Sequence, residues 1–160
     1  MITNIFLVKH AHSIYGSDEL NRPLSEEGIN ESKKVLDLLI DENITNIISS
    51  PYKRAIQTVE KVGDYFKINI IINDKFRERS ISNGYVDDFN KVISKWWEDF
   101  EFALDGGESS RIAQNKGIEE VENILNKYKG ENIIIGTHGN IIILIMNYYD
   151  KKYNYIFRKI

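Results

Sequence analysis

Four short, uniformly apolar segments, separated by stretches of helical period, constrain this chain more than any other feature. Ile2 to Val8, Ile44 to Ile48, Ile68 to Ile72 and Asn132 to Ile135 are rich in β-branched and aromatic residues without polar alternation. Strands of that kind are buried on both faces, as in a parallel sheet covered by helices. Between them, Ser25-Glu26-Glu27 offers an N-cap with acids in the first turn, and Ile29, Val35, Leu36, Leu39 and Ile40 follow at helical spacing. Ser50-Pro51 supplies a cap and a first-turn proline for a helix to about Phe66. Val86 to Phe102 and Ser109 to Tyr128 repeat the helical pattern, the second stopping at Gly130. A further helix opens at Ile141, and Tyr153 to Ile160 reads as a last edge strand. The alternation predicts an α/β fold, a three-layer αβα sandwich with a mostly parallel central sheet.

At 160 residues the chain suits one domain, 1–160, with residues about 81–107 as a helical insert forming a lid. A formal charge of −3 gives no long-range attraction for nucleic acid, so none is expected as a partner. The absence of cysteine excludes disulfides, thiolate nucleophiles and Cys-based metal centres. The longest strongly apolar run, Ile141 to Met146, is far short of the ~20 residues a membrane helix needs, so no membrane partner is expected either. MITNIFLVKHAHS lacks the basic region and long apolar stretch of a signal peptide, which predicts a cytoplasmic protein. Chemistry must come from histidine, carboxylates, hydroxyls or a cofactor.

In open α/β sheets, ligands sit beyond the carboxyl ends of the strands. Three of those ends read KHAHS, SSPYKR and GTHGN, placing two of the three histidines, His10 and His138, just past strands. Taken singly, each histidine has a bland structural reading. Jointly, with Lys9 and with Arg54 near a helix start, they describe an anion site, because free backbone N–H groups and the helix dipole add to side-chain charge. Arg54 presents a bidentate fork suited to phosphate, and Gly139 permits close backbone approach. His12 leaves an alternative open: in an extended segment it shares a side with His10, and with His138 the three form a candidate metal site.

The string LVKHAHS resembles the LVRHGES or LVRHGET opening of the histidine phosphatase (phosphoglycerate mutase-like) superfamily. SSPYKRAIQT resembles that family's SSPLxRAxQT segment, FRERSISNG its acid-bearing region, and GTHGN its closing SHGG or AHGN motif, in matching order from residue 2 to about residue 145. PLSEEG and GGESSRIAQ are similar to further family stretches. The resemblance implies a metal-independent phosphomonoesterase that needs no cofactor and acts on a small phosphorylated metabolite. It implies His10 as nucleophile, Glu78 as proton donor, and Lys9, Arg54 and a protonated His138 around the phosphoryl group. His12, Ser13, Gly139 and Asn140 are expected at the binding pocket. Lys9 replaces an arginine and Ala11 a glycine, which leaves a phosphate sensor or inactive relative as the alternative. A phosphoglycerate mutase and a phosphohistidine-protein phosphatase are further alternatives. Trp96, Trp97 and Phe102 are candidates for substrate contact from the insert, although aromatics at helical spacing more often form core. Substrate identity and oligomeric state are not legible from the sequence.

Overall fold

The computed structural model describes residues 1–158. Four strands, β1 (Asn4–Lys9), β2 (Asn46–Ser49), β3 (Ile70–Ile72) and β4 (Asn132–Thr137), form one all-parallel sheet in the order β1-β4-β2-β3. Six α-helices accompany them: α1 (Glu26–Leu39), α2 (Lys53–Phe66), α3 (Phe89–Glu98), α4 (Ser110–Lys127), α5 (Gly139–Tyr149) and α6 (Tyr155–Arg158). Successive side chains of a strand point to opposite faces. Ile133 and Ile135 of β4 accordingly pack with α4 and α5 through Val121, Ile124, Ile141 and Leu144. Ile134 between them packs the other way, against Val59 and Val62 of α2 and Leu39 of α1. The result is the expected three-layer sandwich. Each fully buried isoleucine of β4 stabilises it by roughly 1.5–3 kcal/mol.

Local signals set most boundaries. Ser25 Oγ accepts from Gly28 N at 3.1 Å, Asp88 Oδ1 from Lys91 N at 3.0 Å and Ser109 Oγ from Ile112 N at 3.2 Å, capping α1, α3 and α4. The Asp88 cap explains why α3 starts at Phe89 rather than Val86. Two expectations are overturned. α2 begins at Lys53 with Tyr52 as an uncapped N-cap residue, and the Ser50 hydroxyl, two residues earlier, meets both Tyr52 N at 3.3 Å and His138 Nε2 at 2.9 Å. The expected edge strand from Tyr153 is instead the short helix α6, since Asn154 Oδ1 accepts from Ile156 N at 2.9 Å and starts a helical turn. The end of that expected strand, residues 159–160, lies outside the described residues. No helix among the described residues is long and apolar enough to cross a membrane.

Because β4 lies between β1 and β2, the carboxyl ends of these three strands are adjacent. His10 N donates to Thr137 O at 3.0 Å and Ser50 N to Gly136 O at 2.8 Å, so the strand ladders continue into the loops that begin at His10 and Ser50.

Candidate active site

His10 leaves β1 half-buried, with Nδ1 2.8 Å from the Ala11 carbonyl oxygen. A carbonyl only accepts, so Nδ1 carries the proton and the lone pair of Nε2 is free. Burial lowers the His10 pKa below 6.5; the Ala11 carbonyl opposes this, while the charges of Arg54, Lys9 and Arg22 add to it. The ring is therefore neutral near pH 7. Its loop is held from α2, where Thr58 Oγ1 accepts from Ala11 N at 3.0 Å and donates to Arg54 O at 2.6 Å. Ala11 does not adopt positive φ, so replacing the family glycine costs no backbone strain there.

His138 follows β4 at the N-cap position of α5, makes no side-chain capping bond and is fully buried, its ring centroid 5.2 Å from that of His10. Nε2 lies 2.9 Å from Ser50 Oγ, and Nδ1 has no hydrogen-bond partner in the protein. Burial, reinforced by Arg54, His10 and Arg22, lowers its pKa to about 2. The expectation of a protonated His138 is thus corrected: in this setting the imidazole is neutral. Tyr52 packs edge-on against His138 at 4.9 Å and under the Arg54 guanidinium at 4.7 Å.

Arg54 is 2% exposed, and its Nη1 donates to Glu19 O at 2.7 Å while Nη2 reaches Glu19 Oε2 at 3.1 Å. Arg22 shares that carboxylate oxygen at 3.2 Å. Glu78 is held by the anchor of its segment, where Thr137 Oγ1 donates to Phe76 O at 2.7 Å. Burial raises the Glu78 pKa above 4.5, against the backbone N–H of Arg79, the charges of Arg79 and Arg54, and a hydrogen bond with Asn140. His10, Glu78, Arg54, Arg22 and Asn140 line one cavity of about 820 Å³. Lys9 is exposed at the end of β1, against Gly139 at the start of α5, and these two line an adjoining space of about 480 Å³ with His10, Glu78 and Asn140.

Positions 10, 54 and 78 therefore meet around one cavity, whereas His138 lines none of these spaces and touches the site through the His10 ring. His12 and Ser13 line a third recess of about 630 Å³ beside His10. The His12 ring bonds Ser25 Oγ at 2.7 Å, and its backbone crosses α1 so closely that only glycine fits at position 28. Among the described residues no three histidines or carboxylates converge as metal ligands, so the three-histidine arrangement is not formed. Of the insert aromatics, Trp96 is fully buried beneath the Arg79 guanidinium at 3.5 Å, and Trp97 packs on the core with Phe100. Neither tryptophan nor Phe102 lines the cavity; Phe89 does. Sequence reasoning missed Arg22, Tyr52 and Glu19, and read Ser50 only as a helix cap.

Residues 5–160 match the histidine phosphatase superfamily (branch 1), and the chain belongs to that family. Among curated proteins it is similar to the "Probable phosphoglycerate mutase GpmB" of Photorhabdus laumondii, 24% identical over 84% of this chain and 69% of that one. The Yersinia proteins of the same name are 23% identical, and the match spans 57% of their length. Among solved structures it resembles Bacillus stearothermophilus YhfR, with a TM-score of 0.78 at 21% identity over 94% of this chain and 81% of that one. A mycobacterial glucosyl-3-phosphoglycerate phosphatase superposes with a TM-score of 0.75 at 19% identity, covering 91% and 78%.

Proposed function

We propose that the protein is a metal-independent phosphomonoesterase acting through a phosphohistidine on His10, on a small phosphorylated metabolite. The observation that carries this reading is the His10 ring itself. Its proton is fixed on Nδ1 by Ala11, and its free Nε2 belongs to a residue lining the same cavity as Arg54 and Glu78.

In the first half-reaction Nε2 attacks phosphorus, the bond to the ester oxygen breaks, and the leaving oxygen takes the proton of Glu78. A carboxyl whose pKa is raised by burial is suited to hold that proton. In the second half-reaction water attacks the phosphohistidine, gives its proton to the Glu78 carboxylate, and releases phosphate and free His10. Arg22, Arg54, Lys9 and the amide groups opening α5 balance the charge spread over the phosphoryl oxygens. Neutral His138 contributes as a donor rather than a cation. Ser50 Oγ accepts from Tyr52 N at 3.3 Å; donating its own proton to Nε2 places the imidazole proton on Nδ1, which is buried without a partner in the protein. Residues 81–107 act as the lid, with Ile81, Ser82 and Phe89 on the cavity wall.

The test is steady release of phosphate from p-nitrophenyl phosphate in the presence of chelator, abolished by His10→Ala. Binding of phosphate without turnover would identify a sensor instead. A mutase would interconvert phosphoglycerates without net release of phosphate.

A further inference from the structure

The anion seat between the two arginines already holds an anion of the protein's own. Glu19 Oε2 bridges Arg22 Nη2 at 3.2 Å and Arg54 Nη2 at 3.1 Å, and the Glu19 side chain lines the same cavity as His10 and Glu78. One carboxylate between two guanidiniums leaves the cluster positive. It also leaves donors unused: the buried Nε atoms of Arg22 and Arg54 have no hydrogen-bond partner. A phosphoryl group placed on His10 within reach of Arg54 must come close to this carboxylate, and like charges at such distances repel.

Glu19 is well placed to yield. Its side chain is 55% exposed, and it sits on the loop between Ser13 and Leu24, outside any helix or strand. The loop backbone is pinned independently, by Asp18 accepting from Asn21 and by Lys53 N donating to Leu20 O at 2.9 Å. Arg54 also keeps its 2.7 Å bond to the Glu19 backbone carbonyl whatever the side chain does. Orientation of Arg54 and occupation of the seat are thus divided between two parts of one residue.

From this geometry we infer that the Glu19 carboxylate is a built-in competitor for the phosphoryl seat, which the substrate displaces from Arg22 and Arg54. Glu19 thereby sets how strongly an anion must bind before it is retained. A dianionic phosphoryl group, able to use both guanidiniums and the His10 side of the cavity at once, exchanges for the carboxylate. A singly charged carboxylate or phosphodiester gains little by the exchange and is rejected. Glu19 is therefore a specificity-determining residue, and the inference rests on the phosphatase reading above.

Calorimetric titration of inorganic phosphate into the wild-type protein, Glu19→Gln and Glu19→Ala, at one ionic strength, tests it. Each lost ion pair is exposed on one side, so the two together make phosphate bind roughly tenfold tighter in both variants. Steady-state kinetics on p-nitrophenyl phosphate show the matching fall in KM, and the advantage over a phosphodiester ligand narrows. Unchanged or weaker phosphate binding in the variants overturns the inference and makes the Glu19 side chain an orienting clamp. If the wild type neither binds phosphate nor releases it from the ester, the phosphatase reading fails, and this inference falls with it.

Discussion

Ser50→Ala removes one oxygen from a fully buried position and separates two roles of a single hydrogen bond. In the folded protein Ser50 Oγ meets His138 Nε2 at 2.9 Å and accepts from Tyr52 N at 3.3 Å. Alanine leaves the His138 nitrogen unpaired inside the protein, a cost of about 1–3 kcal/mol for a buried polar group. For a chain of this size, at about 2–4 °C per kcal/mol, the melting temperature falls by roughly 2–12 °C. The second effect is on chemistry. Without the hydroxyl, the proton of neutral His138 is no longer fixed on Nδ1, and misdirecting one donor at the phosphoryl group lowers kcat by roughly tenfold to a hundredfold. Differential scanning calorimetry and steady-state assay of one preparation read both. A variant that melts lower but keeps kcat within about twofold of wild type refutes the tautomer argument and reduces Ser50 to packing.

Further outcomes follow from the same geometry. The acid limb of kcat/KM lies below pH 6.5, since burial and the neighbouring cations keep His10 neutral; the alkaline limb, set by loss of the Glu78 proton above pH 4.5, disappears in Glu78→Gln. That variant loses about 100-fold or more in kcat on alkyl phosphates and less on p-nitrophenyl phosphate, whose leaving group needs no proton. His138 has a folded pKa depressed to about 2, so the unfolded chain binds the extra proton between there and pH 6.5. Its contribution to stability is complete above pH 6.5 and is lost as pH falls, by up to about 1.4 kcal/mol per pH unit; urea unfolding at pH 7 and 5 shows a smaller difference in His138→Gln. Thr58→Val unties Ala11 N and costs about 1 kcal/mol, with lower kcat, measured by denaturation and assay. Lys9→Arg restores the planar fork and raises kcat/KM several-fold over wild type.

The layers of the fold were legible because apolar runs and helical periods are local signals, and caps such as Ser25 and Ser109 act within three residues. Where a side chain had competing long-range partners, local reading failed. Ser50 looks like a helix cap in sequence, but His138, 88 positions away, takes its hydroxyl. Tyr153 to Ile160 has strand composition, yet Asn154 turns the backbone into a helix. Histidines at strand ends were readable from pattern and family motif together. The charge state of His138 was not, because it depends on burial behind Tyr52 and His10. Arg22 and Glu19 lie in a loop without periodicity, and only the folded chain brings them to Arg54.

Rapid acid-free quenching of the enzyme with a radiolabelled phosphate ester, followed by peptide mapping, examines the covalent step itself. The expected result is an alkali-stable, acid-labile phosphoryl group on His10, formed within one turnover and absent from His10→Ala. Label on another residue, or turnover with no trapped phosphoenzyme even in a variant slowed in the hydrolytic step, would contradict it.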